Sequence, residues 1–170
     1  MIRAEVAEAE SHEKARSRLA ALYERHAPGA LRFAYLLTGD TTEAEDLVHD
    51  AIVRMAARFT DLRSEDAFPA YLKRAIVNQA ASIGRRHRIE REWRERNTRP
   101  PVVMPAEPGP GDELWRAMTR LPARQRAALV LRFYEDLSER QTADILGCRP
   151  GTVKSLVSRG LASLRGVIEP

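Results

Sequence analysis

Apolar residues recur every third or fourth position through most of this chain, and over no stretch do they alternate with polar ones as a half-buried strand requires. That period is the mark of helices packed along one face, and it predicts an all-α protein. The clearest stripe is Ala44, Leu47, Val48, Ala51, Ile52 and Met55. The helix before it is expected from about His12 to Leu37, with a joint at Pro28–Gly29 and a stop at Gly39–Asp40. Asp40 or Thr41 is placed to cap the striped helix, with Glu43 and Glu45 at its positive end. A polar connection runs from Phe59 to Glu65, after which Asp66 is placed to cap a third helix that tolerates Pro69 in its first turn. Phe68, Tyr71, Leu72, Ala75, Ile76 and Ile83 form its inward stripe, leaving Lys73, Arg74, Asn78, Arg85, Arg86 and Arg88 outside it.

Punctuation is sharper toward the C-terminus. Asp112 opens a short helix carrying Leu114, Trp115 and Met118, and Leu121–Pro122 ends it. The next helix holds Ala127, Val130, Leu131 and Tyr134. Ser138 followed by Gln141 three residues on is a capping box. It opens a helix with Ala143, Ile145 and Leu146 that stops at Gly147. Pro150 then begins a last helix, with Val153, Val157, Leu161 and Leu164 inward. Two short helices joined by Gly147-Cys148-Arg149-Pro150 make a helix-turn-helix.

Composition divides this helical chain in two. Five of its ten prolines, Pro100, Pro101, Pro105, Pro108 and Pro110, crowd into one stretch with Gly109 and Gly111. Residues 97–111 therefore read as a linker, which in extended form reaches roughly 45 Å. The expected layout is an N-terminal extension at 1–17, a helical domain at 18–96, the linker at 97–111 and a helix-turn-helix domain at 112–170. At ~3.4 Å per base pair, two DNA-reading heads on such a tether reach one duplex more than a turn apart.

The net charge of +4 conceals strong segregation. Residues 40–66 hold eight acidic and three basic side chains, 73–99 hold nine basic and three acidic, and 116–165 hold ten basic and four acidic. Two basic blocks suit polyanions, and the acidic block suits a different partner; solvated helix faces are the plain alternative. The helix-turn-helix decides for DNA. Its second helix enters the major groove in such motifs, and here it presents Thr152, Lys154, Ser155, Ser158 and Arg159, donors sized for base edges and phosphates. No acidic residue lies between Arg149 and Arg165.

The stretch LPARQRAALVLRFYEDLSERQTADILGCRPGTVKSLVSRGLASLR resembles the −35-reading domain of bacterial sigma factors. ALRFAYLLTGDTTEAEDLVHDAIVRMAARF, followed by FPAYLKRAIVNQAASIGRRHR, resembles their second domain, which binds core RNA polymerase and reads the −10 element. The order of the two, with a Pro-rich linker between, is similar to the extracytoplasmic-function (ECF, group IV) sigma factors, and within them to the actinobacterial SigE type. The resemblance implies two small helical domains, sigma-2-like and sigma-4-like. It places Asp46, Leu47, His49 and Asp50 on the basic clamp helices of the polymerase's largest subunit, where an acidic face is electrostatically suited. His49 and Asp50 depart from the family's glutamine and glutamate, and the plainer reading of His49 is an exposed residue with no titration role.

The resemblance also sets Phe59 and Arg63 in the −10 specificity loop, and Tyr71, Lys73, Arg74, Asn78, Arg85 and Arg86 on the helix that meets the −10 element. An amide such as that of Asn78 both donates to and accepts from a base extruded from the stack. Tyr71 stands where major sigma factors carry a duplex-wedging tryptophan, and core packing is its other reading. Ser82 departs from a frequent aspartate. Arg149, Thr152, Lys154, Ser155, Ser158 and Arg159 fall on −35 positions, with Arg149 replacing a common capping serine at a cost of about 1 kcal/mol. Cys148 reads as a small buried thiol rather than a redox sensor.

No catalytic, cofactor or metal site is legible: His12, His26, His49 and His87 lack ligand spacing, and no Gly-rich phosphate loop occurs. The expected protein is no enzyme. It needs no cofactor, is monomeric when free, and works in the cytoplasm with core RNA polymerase, promoter DNA and an anti-sigma factor, without membrane insertion. A single cysteine and an acidic N-terminus without an apolar core fit that setting. The rivals are a stand-alone helix-turn-helix regulator, dimeric on palindromic sites, and a helical adaptor that binds only protein.

Overall fold

A computed structural model describes residues 2–56, 65–97 and 112–168. Among them are seven α-helices and no strand: α1 (Ile2–Thr38), α2 (Thr41–Ala56), α3 (Phe68–Asn97), α4 (Asp112–Arg120), α5 (Ala123–Leu129), α6 (Glu139–Leu146) and α7 (Pro150–Ile168). The loop residues Phe59 and Arg63 lie outside the described residues, as do 98–111 of the expected linker.

The first three helices pack as a bundle. The α2 stripe is buried as its spacing dictates, with Ala44, Leu47, Val48, Ala51 and Met55 facing Phe33, Ala34 and Leu37 of α1 and Phe68, Leu72 and Ile76 of α3. Phe33, Phe68 and Ile76 are completely enclosed, each contributing about 1.5–3 kcal/mol. Asp40 is the cap of α2: its Oδ1 accepts from the Glu43 amide at 2.8 Å. Gly39, at φ 81°, turns the chain out of α1.

Two local expectations are corrected here. Pro28 makes no joint, since α1 runs unbroken through it. Pro28 faces solvent, while Ala27, Ala30 and Phe33 stay anchored in the core. A 3₁₀ turn, Glu65–Ala67, precedes α3, and Asp66 lies inside that turn rather than directly before the helix.

The C-terminal helices fold around Leu131, Ala128, Val153 and Leu156. Ser138 and Gln141 form the capping box in both directions, with the Gln141 amide donating to Ser138 Oγ at 3.2 Å and the Ser138 amide to Gln141 Oε1 at 2.9 Å. Gly147 ends α6 at φ 59°. The inward side of α7 is Val153, Leu156, Gly160 and Leu164; Leu161 is exposed instead. Leu129 fills the place a side chain at 160 would need, 2.9 Å from a Cβ there, and this rotates the contact stripe one residue back. Tyr134 is likewise exposed, because α5 widens into a π-helical turn over Val130–Tyr134 that shifts later residues off its stripe.

The two halves do not stand apart on their tether. One core runs through both, from Leu22 in α1 to Leu156 in α7. Tyr35 stacks on Trp115 at 5.2 Å and 10° between planes. Thr119 packs where a Cβ on Gly39 would meet it at 3.1 Å, and Ala123 lies 3.6 Å from a Cβ on Gly84.

Candidate nucleic-acid interfaces

The better-presented interface is the exposed side of α7. Val153 and Leu156 fix which side turns inward, and this leaves Arg149, Thr152, Lys154, Ser155, Ser158 and Arg159 exposed together. The Arg149 carbonyl starts the helix, accepting from the amides of Thr152 at 2.9 Å and Val153 at 3.3 Å. Its side chain is exposed and replaces the expected capping serine without capping. Arg124 reaches across to donate to the Leu146 carbonyl at 3.2 Å, which pins the end of α6 against α5.

Lys154, Ser155, Ser158 and Arg159 line one shallow concavity. Arg159 Nε donates to the Ser155 carbonyl at 3.1 Å, leaving the rest of its guanidinium fork outward. Lys154 keeps a loose 3.7 Å contact with Glu139 while its side chain is 69% exposed. Such a pair in water is worth at most about 1 kcal/mol and yields readily to a phosphate.

The second interface is α3. Tyr71, Arg74 and Asn78 share one exposed side, while Leu72, Ile76, Val77 and Ala80 hold the helix to the bundle. Tyr71, at 54% exposure, is not core. The first turns of α3 border the other half. Across a cleft of about 310 Å³, Tyr71, Lys73 and Arg74 face Leu137, Gln141 and Asp144 of the helix-turn-helix half. Lys73 is ion-paired with Glu135. The side chains of Arg85 and Arg86 lie outside the described residues.

On α2, Asp46, His49 and Asp50 are exposed, and Asp50 Oδ2 accepts from Gln79 of α3 at 3.4 Å. Leu47 departs from the docking expectation: its side chain is buried, 3% exposed, so it supports the helix and offers no surface to a partner. Cys148 is half-buried rather than enclosed. Among the described residues no group of three or more His, Cys, Asp or Glu is placed to hold a metal ion. Sequence reasoning missed Glu135 and the Tyr35–Trp115 stack. The signal for the first was there: Glu135-Asp136 is an acidic pair inside a basic block.

A capped helix-turn-helix with an acid-free outer side marks a sequence-reading DNA-binding protein, and a second helix carries exposed amide, aromatic and basic residues. The Sigma-70 region 2 family matches residues 22–94, and the Sigma-70, region 4 family matches residues 111–164. The RNA polymerase sigma-E factor of Streptomyces coelicolor is 33% identical over 136 residues, 79% of this chain and 77% of that protein. The ECF RNA polymerase sigma factor EcfG of Rhodopseudomonas palustris is 30% identical over 146 residues, 83% of this chain and 80% of that protein. The solved sigma factor RpoE of Bartonella quintana superposes with a TM-score of 0.66 at 26% identity, covering 91% of this chain and 96% of that one.

The chain belongs to the ECF group of RNA polymerase sigma factors, of the SigE type. It is a promoter-directing transcription initiation factor that works with core RNA polymerase and promoter DNA, and it is not an enzyme. The stand-alone regulator is not favoured.

Proposed function

We propose a division of labour among three helix faces. The α2 face, Asp46, His49 and Asp50, docks on core polymerase. Tyr71, Lys73, Arg74 and Asn78 on α3 read the −10 element, with Arg85, Arg86 and the loop residues Phe59 and Arg63 beside them. Arg149, Thr152, Lys154, Ser155, Ser158 and Arg159 read the −35 element. The working domains are 18–96 and 112–170, with 1–17 as an extension and 97–111 as the linker.

The observation that carries this reading is the outer side of α7, where six polar or basic residues are exposed together with no acidic residue among them. The protein resides in the cytoplasm and is monomeric when free; no described helix is long and apolar enough to cross a membrane. An anti-sigma factor is its inhibitor, supported by the Bartonella quintana sigma factor having been solved in complex with the anti-sigma factor NepR.

Reconstitution with core polymerase on a promoter library tests the whole. Promoter-specific initiation is expected, with Asp46→Ala and Asp50→Ala weakening core binding while −35 selectivity persists. Equal loss of both functions overturns the division; sequence-specific binding by the free chain with no initiation overturns the reading.

A further inference from the structure

Lys73 pairs across the seam between the two halves, whereas Lys154 pairs inside the helix-turn-helix itself. Lys154 Nζ lies 3.7 Å from Glu139 Oε2, with the two side chains 69% and 40% exposed. The pair joins the first turn of α6 to the second turn of α7. Local structure holds both ends. The Ser138–Gln141 box fixes the start of α6, where Glu139 is the first residue. Val153, fully buried beside Lys154, sets the direction in which Lys154 leaves α7.

Other polar groups of the α7 concavity are partly engaged with their own helix. Ser155 Oγ donates to the Gly151 carbonyl at 3.1 Å, and Arg159 Nε to the Ser155 carbonyl at 3.1 Å. Lys154, which lines the same concavity, is instead met by a carboxylate from another helix. For folding, so exposed a pair is worth at most about 1 kcal/mol. For general DNA affinity the carboxylate is a cost, because it offsets one cation and is itself repelled by phosphates. What the two groups present together is a donor beside an acceptor.

In the major groove a G·C pair shows the complementary order: guanine O6 and N7 accept, and the cytosine N4 amine beside them donates. We propose that Lys154 and Glu139 act as one unit that selects a G·C pair in a single orientation within the −35 element, with Lys154 donating to guanine and Glu139 accepting from cytosine. Glu139 is then a specificity residue on α6, outside the recognition helix. An A·T pair in that place sets thymine O4, a second acceptor, and the thymine methyl group against the carboxylate. Two acceptors with no proton between them repel, so the carboxylate rejects the wrong pair as well as favouring the right one. The assignment rests on α7 reading the −35 element, as proposed above.

The test uses the full-length chain bound to core polymerase and a duplex promoter library randomised across the −35 element, with the bound DNA sequenced. The unchanged protein is expected to select G·C in one orientation at the contacted pair. Glu139→Gln, which keeps the shape and removes the charge, is expected to lower the preference for cytosine there about tenfold. Lys154→Ala is expected to relax the guanine of the same pair. On a duplex without promoter sequence, Glu139→Gln should bind more tightly, with an affinity that falls more steeply as salt rises. Exchanging the charges, Lys154→Glu with Glu139→Lys, is expected to reverse the selected orientation to C·G at that pair.

Unchanged base preferences at every −35 position in Glu139→Gln overturn the assignment and leave −35 reading by α7 standing. Effects of Glu139→Gln and Lys154→Ala at different base pairs overturn the joint unit, as does an exchanged chain that keeps the original orientation. The −35 reading itself fails by a different result: Lys154→Ala with Arg159→Ala and undiminished selection throughout the −35 element.

Discussion

The two basic helices of this sigma factor differ less in composition than in what stands in front of them. On α7 the cations face water, and Lys154 has only a loose carboxylate neighbour at 3.7 Å. On α3 the equivalent lysine is half-buried and paired, and the neighbouring arginine lies against another helix pair. Charge alone made the two blocks look alike, each rich in arginine and each suited to a polyanion. Packing separates them into a face whose cations reach water and a face with one cation held across the seam. A local charge count thus states where cations gather, and tertiary contacts decide which of them are already paired.

The comparison breaks most severely if the shared core is removed. Phe68→Ala, at the start of α3 with its ring 5.4 Å from that of His26, is expected to cost about 3–5 kcal/mol. Because one core serves both halves, chemical denaturation followed by near-ultraviolet and far-ultraviolet signals should shift as a single transition; separate melting of the halves would refute the continuity. Next in size, Lys154→Ala with Arg159→Ala should cost about 2–4 kcal/mol of −35 discrimination in the polymerase complex. The folding midpoint should barely move, which sharpens the claim that α7 is open.

Gly39→Ala places a Cβ 3.1 Å from Thr119 at φ 81°. It is expected to destabilise the chain by about 1–2 kcal/mol in the same denaturation assay, and to disturb the seam before either bundle. Ser138→Ala removes the capping box and should cost about 1 kcal/mol. Hydrogen exchange should then quicken in α6 while the bundle of α1, α2 and α3 keeps its protection.

Much of this was legible because its causes are local. Gly39, Leu121–Pro122, Gly147 and the Ser138–Gln141 box set helix ends through backbone geometry and hydrogen bonds within a few residues. The α2 stripe announced its burial by spacing. Where the reading failed, the cause was another element. Leu161 was displaced from the core by Leu129 reaching toward Gly160, and Tyr134 by a π-helical turn that no periodicity announces. Pro28 reads as a break in sequence because the anchoring of α1 on both sides of it is a tertiary effect. Leu47 satisfies the family motif and the core stripe at once, and burial resolved that conflict.

The candidate site divides the same way: the α7 residues stand where spacing put them, whereas the pairing of Lys73 with Glu135 is a contact between residues 62 positions apart. A linker of prolines suggested separation, and sequence alone has no means of showing that the tethered halves would adhere.

The stacking of Tyr35 on Trp115 carries a practical consequence. The chain has two tryptophans, at 93 and 115, so Trp93→Phe leaves one indole, and that indole sits on the seam. Its emission is sensitive to the phenol ring pressed against it, and parting the halves removes that ring. The protein therefore contains its own optical gauge of contact between its halves, readable by stopped flow with no dye attached.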